Sequence, residues 1–169
     1  MTLLDAPVFD EARDRRRRIF FYSAGTTLFV LFIAWWLVAG RPFDWPWNWN
    51  HYLMGRITVN KFLTAVEKGD LPTAYGIWMN DKNWQQHPAQ GGPYPFSRFQ
   101  DDWSPSSPDN EYGAIKSHKI VLAGHYGKSG LLVAVLINDR KSGALNLAYD
   151  PKTRTLSFSP PGVELYLGP

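Results

Sequence analysis

The residues that could do chemistry are few. Four histidines stand at His51, His87, His118 and His125. No pair has the His-x-x-x-His spacing that puts two imidazoles on one helix face, and none sits in a recognisable metal-ligand motif. His118 and His125 flank a glycine-containing turn and are the two that could approach each other. Asp101 and Asp102 are adjacent, with Tyr75, Tyr94 and Tyr112 as the phenols of interest. Neighbouring positions on a helix diverge by about 100°, so the two carboxylates cannot both face one substrate, and solvated surface is their expected role. No serine lies in a Gly-x-Ser-x-Gly elbow, and residues 124–130, although they hold Gly127-Lys128-Ser129, lack the leading glycine (Leu122 stands at its place) and the following helix of a phosphate loop. There is no cysteine, which excludes disulfides, a thiol nucleophile and a lipid-anchored cysteine. No Asn-x-Ser/Thr glycosylation acceptor occurs. We expect no catalytic residue, no metal and no cofactor, so not an enzyme.

Composition fits one folded domain with an appendage. The chain has 169 residues, 44% hydrophobic and 20% charged, with eight tryptophans. A net charge of +3 is too small to point to nucleic acid.

The appendage is legible. Residues 19–40, IFFYSAGTTLFVLFIAWWLVAG, carry no charge. As a helix they would span about 33 Å, the thickness of a bilayer's hydrocarbon core. Ser23, Thr26 and Thr27 can bond back to the helix backbone. Arg13, Arg15, Arg16, Arg17 and Arg18 precede the span, whereas Arg41 is the only cation after it until Arg56. The positive-inside bias therefore places the N-terminus in the cytoplasm and the C-terminal bulk outside, periplasmic in a Gram-negative cell. Arg15, Arg16, Arg17 and Arg18 are candidate contacts for anionic lipid headgroups. A cleaved signal peptide would have a shorter apolar core, and Val38-Ala39-Gly40 makes a poor cleavage site. Arg17-Arg18 resembles a twin-arginine signal only superficially. A retained signal-anchor in the cell (inner) membrane is the expected form.

The expected division is a cytoplasmic tail (1–18), the span (19–40), a Trp-rich juxtamembrane linker (41–56) and an extracytoplasmic domain (57–169). In the linker, Trp45, Trp47 and Trp49 alternate with Pro or Asn, so an extended chain would aim all three one way. With Trp35 and Trp36 they form a candidate membrane-interface collar, where indoles are favoured. A docking strip for another membrane subunit is the competing reading, and a carbohydrate-stacking platform a third.

The domain's pattern is α+β. Val59, Phe62, Leu63 and Val66 have helical spacing; Gly69 ends that helix, and Asp70 with Pro72 opens a second. Phe96, Phe99 and Trp103 mark a third, after a polar loop over 80–95. Strands are expected at 114–123, 131–137, around 145–149 and at 156–158, with Val163, Leu165 and Leu167 as an edge strand or a tail. Helices followed by an antiparallel meander of four to five strands indicate helices packed on one sheet face.

The phrase VNKFLTAVEKGDLPTAYGIW (59–78), through Phe62, Leu63, Ala65, Gly69, Asp70, Ala74 and Tyr75, resembles the opening of nuclear-transport-factor-2-like, or cystatin-like, extracytoplasmic domains. The resemblance implies a bent sheet wrapped around a helix as a cone with an apolar mouth. Trp84, His87, Tyr94, Phe96, Phe99 and Trp103 are then candidate cone-mouth or partner contacts. Domains of this shape include isomerases, ligand binders and accessory modules, and fold alone does not choose among them. An isomerase or hydrolyase would need an acid and a tyrosine converging inside the cone. A small-molecule or lipid binder would need an apolar cavity of about 300 Å³ or more. The leading expectation is an accessory or assembly subunit acting through protein–protein contacts in a membrane complex, with no nucleic acid.

Overall fold

Asp10 starts the first helix by capping it: its Oδ1 accepts from the backbone N–H of Ala12 (3.0 Å) and of Arg13 (3.1 Å). In this computed structural model, which describes residues 10–42, 45–87, 94–127, 130–140, 143–160 and 162, helix α1 runs Glu11–Val38. The arginines expected in a tail are therefore helical. Arg18 pairs with Asp14 (3.2 Å) one turn back, and the Arg17 guanidinium lies over the Phe21 ring at 5.7 Å. Ser23 and Thr27 hydroxyls donate to the carbonyls of Phe20 (3.0 Å) and Ser23 (2.9 Å), which keeps them off the apolar surface. The helix is long and apolar enough to cross a membrane, and its apolar window is not buried against the rest of the chain. Residues 1–38 form one unit and 39–169 a second.

In the second unit a 3-10 turn, Pro46–Asn48, leads into α2, Trp49–Glu67. The expected linker over 41–56 is thus largely helix. The apolar stripe that begins at Val59 continues upstream through Trp49 and Tyr52, both buried, and the helix starts eight residues earlier than anticipated. Gly69, at φ +72°, turns the chain in the left-handed region that glycine tolerates. Asp70 then accepts from Thr73 N–H (3.1 Å) and opens α3, Leu71–Trp78, with Pro72 in its first turn. Helix α4 is Phe96–Trp103.

The sheet is an open antiparallel meander: β1 His118–Tyr126, β2 Gly130–Ile137, β3 Leu145–Tyr149 and β4 Leu156–Phe158, in that spatial order. With the helices this makes an α+β fold. Residues 131–135 of β2 are all buried, as a continuously apolar strand requires. Strand β1 starts four residues later than expected. Asn138 explains the delay: its Oδ1 accepts from Lys116 N–H (2.7 Å) and Ser117 N–H (3.2 Å), and its Nδ2 donates to Ala114 O (2.8 Å). A side chain thus satisfies the backbone that a ladder would otherwise pair. The register of β1 against β2 shifts between Ile120 and Leu122, and Val121 and Leu122 are both exposed. The candidate strand at Val163, Leu165 and Leu167 lies outside the described residues.

Helix α2 packs on the sheet at Gly55. A Cβ there would stand 2.4 Å from Leu131 Cδ2 and 3.2 Å from a Tyr149 ring carbon. Glu67, at the other end of α2, meets β1: His118 Nδ1 donates to Glu67 Oε1 at 2.6 Å, and Nε2 lies 3.0 Å from Asn60 Oδ1. Substituting Gly55→Val should destabilise the domain by about 1–3 kcal/mol through overpacking, read as a lowered denaturant midpoint of the full chain in detergent. An unchanged midpoint would mean that α2 does not rest on the sheet at this point.

Candidate functional site

The sequence-nominated aromatics come together, but as packing. Phe62 lies at their centre, with ring centroids 4.8 Å from Trp103, 5.2 Å from Trp78 and 6.1 Å from Phe99. Tyr75 bridges to Trp84 (4.8 Å) and Phe96 (5.3 Å), and Phe158 stacks on Trp103 at 5.8 Å. Phe99 is fully buried and Trp103 is 2% exposed, so these two are core side chains and not contacts at a mouth. Trp84 and Phe96 are half-buried at the edge of the cluster, and the Trp84 Nε1–H donates to Pro72 O (3.0 Å). His87 is exposed and pairs with Asp81 at 2.9 Å, which holds the Asp81 carboxyl below the usual range.

Of the acids and phenols, Asp102 and Tyr94 meet and satisfy one another. Tyr94 donates its hydroxyl to Asp102 (2.7 Å), and Tyr75 donates to the Tyr94 carbonyl (2.8 Å). Arg98 pairs with both Asp102 and Asp109 at 3.3 Å. Burial, then the hydrogen bond and charge of Asp102, push the Tyr94 phenol far above its ordinary value, so it stays protonated at neutral pH. Asp102 also lines a cavity of about 400 Å³ together with Tyr112, Arg98 and Asp109.

His118 and His125 do not meet. Seven residues of strand separate them by roughly 23 Å. His118 is held by Glu67, and His125 packs edge-on against Tyr52 with centroids 5.1 Å apart. Among the described residues no group of three or more His, Asp or Glu could hold a metal ion. The proposed collar divides as well. Trp45 and Trp47 stack face to face, 5.2 Å apart and 2° from parallel, at 66% and 69% exposure, whereas Trp49 is a core residue of α2. The 3-10 turn breaks the alternation that an extended chain would have kept.

One site was not anticipated. A groove of about 680 Å³ lies between α2, α3 and the β3–β4 turn. Met54, Ile57 and Lys61 of α2 form one wall, and Pro72, Gly76 and Ile77 of α3 another. Gly76 permits close approach of the loop, since a Cβ there would stand 3.0 Å from Asp81 O. Asn80 Nδ2 donates to Thr153 O (3.0 Å) and ties the end of α3 to the β3–β4 turn that carries Arg154. Arg154 itself sits at φ +60°, an uncommon backbone conformation for a non-glycine residue. Lys61, Lys82 and Arg154 line the groove, and no carboxylate does. Nearby acids are engaged locally: Asp70 caps α3, Asp81 holds His87 and Asn83 N–H (2.8 Å), and Asp150 accepts from Lys152 N–H (2.8 Å). The one sequence signal was Met54 and Ile57, apolar residues on α2 at positions outside its buried stripe.

Comparison of the chain with family models, with curated proteins and with solved structures finds no match in any of the three.

Burial also raises the phenols of Tyr75, Tyr112 and Tyr149. Raised folded-state values give stability that is complete below the unfolded phenol value and is lost as pH rises toward the folded ones. Denaturant stability should therefore fall above about pH 10, where the unfolded chain's tyrosines ionise first. Tyr94→Phe should make that fall shallower. An equal fall in the variant would remove Tyr94 as a cause.

Proposed function

We propose that the protein is a single-pass, membrane-anchored accessory or assembly subunit whose C-terminal domain acts by contact and not by chemistry. The observation that carries this reading is the filled interior. Rings of Phe62, Trp78, Phe99 and Trp103 are buried against one another, and Tyr94 and Asp102 are bound to each other. In this reading α1 is a signal-anchor with its arginines in the cytoplasm, and those arginines meet anionic headgroups. The exposed Trp45–Trp47 pair serves at the membrane–water boundary or against a neighbouring subunit, which is where indoles of this exposure are stable. Sharing one membrane with a partner raises the effective concentration of both. The order of helical hairpin, third helix and four-stranded meander supports the nuclear-transport-factor-2-like resemblance as part of the same proposal. A second reading, a ligand-binding module, is favoured by the basic groove alone.

Purification of the intact protein from its native membranes in mild detergent should bring one or more companions in fixed ratio. A protein that runs alone would sink the subunit reading. Orientation has its own check, because the chain has no cysteine of its own. A membrane-impermeant maleimide should label Lys119→Cys from outside and Ala12→Cys only after lysis; the opposite pattern would reverse the topology.

A further inference from the structure

Lys61, Lys82 and Arg154 come from α2, the loop after α3 and the β3–β4 turn, and the fold brings them to one groove. Among the described residues none of the three has an ion-pair partner. Three cations in a lining that holds no carboxylate bias the local potential of the groove toward positive. Below them the walls are apolar. Met54 is 49% exposed and Ile57 38%, and both line this groove. Ile77, Pro72 and the face of Trp84 complete the apolar part. Cations over an apolar trough match an amphiphile with an anionic head.

We propose that this groove binds an anionic phospholipid, its phosphate among Lys61, Lys82 and Arg154 and its first acyl carbons against Met54, Ile57 and Trp84. Arginine supplies a planar fork that fits phosphate oxygens in pairs, and the lysines add mobile point charges. Size separates a lipid from a protein segment. A specific protein interface uses about 20–30 residues a side. Fourteen residues line this groove, and its roughly 680 Å³ falls inside the range of about 300–1,000 Å³ usual for small-ligand sites. Helix α1 is long and apolar enough to cross a membrane, so phospholipids are the anionic amphiphiles at hand. This assignment does not depend on the subunit reading, since a lipid site can serve a solitary protein or a subunit alike.

The chain has three methionines, and Met54 lines the groove while Met79 does not, which gives a reporter and a reference in one molecule. The test uses the full chain, ¹³C-methyl-labelled at methionine, in phosphatidylcholine nanodiscs. Monomeric dihexanoyl-phosphatidylglycerol should shift the Met54 methyl resonance in a saturable way and leave Met79 in place. The triple variant Lys61→Gln, Lys82→Gln, Arg154→Gln should weaken that response by about tenfold or more while its Met79 resonance stays native. Several outcomes would overturn the proposal: an equal response to dihexanoyl-phosphatidylcholine, an equal response to inorganic phosphate, or joint movement of both methyls. A Met54 that answers to an oligoglutamate peptide and not to the lipid would assign the groove to a protein segment instead. Copurifying companions, present or absent, bear on none of these readouts.

Discussion

Along α2 the side chains of Trp49, Tyr52, Val59, Phe62, Leu63 and Val66 lose nearly all contact with water, and this one stripe determines where the other elements of residues 39–169 can go. Each fully buried large apolar side chain contributes roughly 1.5–3 kcal/mol, so the stripe strongly favours this orientation of the helix. The upstream half of the stripe rests on β2 and β3 at Gly55, where a missing Cβ lets the helix approach the sheet. The downstream half carries Phe62, around which the rings of α3 and α4 assemble. Glu67 and Asn60 then hold His118 at the start of β1.

The same constraint forms the groove. Once one face of α2 is committed to the core, another face, with Met54, Ile57 and Lys61, stands open beside α3. The hairpin turn at Gly69 lays α3 alongside, and the Asn80–Thr153 hydrogen bond brings in the β3–β4 turn with Arg154. Core and groove are thus two faces of one helix, and the polar requirements of the domain are met elsewhere. Tyr94, Asp102 and Arg98 neutralise one another, and the acids near the groove are spent on caps and turns.

A good deal was legible in the residues. The uncharged run ahead of Gly40 is a helix of membrane-spanning length because it holds no group that lipid would reject. The Gly69–Asp70 break was readable because its signals are local: a left-handed turn, a side-chain cap and a proline in the first turn. Strands β2 and β3 announced themselves by continuous and by alternating apolar residues. These features depend on neighbours within a few positions, and a linear reading sees such neighbours.

What the tertiary structure decided depends on partners far along the chain. Trp49 and Trp45 are alike in sequence context, yet Trp49, at the start of α2, is core, and Trp45, ahead of the 3-10 turn, is exposed. Phe99 and Trp103 left any surface for the interior because α4 folds its apolar face over Phe62. Asn138, 22 positions beyond Lys116, moved the start of β1 by binding its backbone. The groove's cations lie at 61, 82 and 154, separations across which sequence carries no periodic or capping signal. Only the packing of three elements against one another brings those charges to a common site.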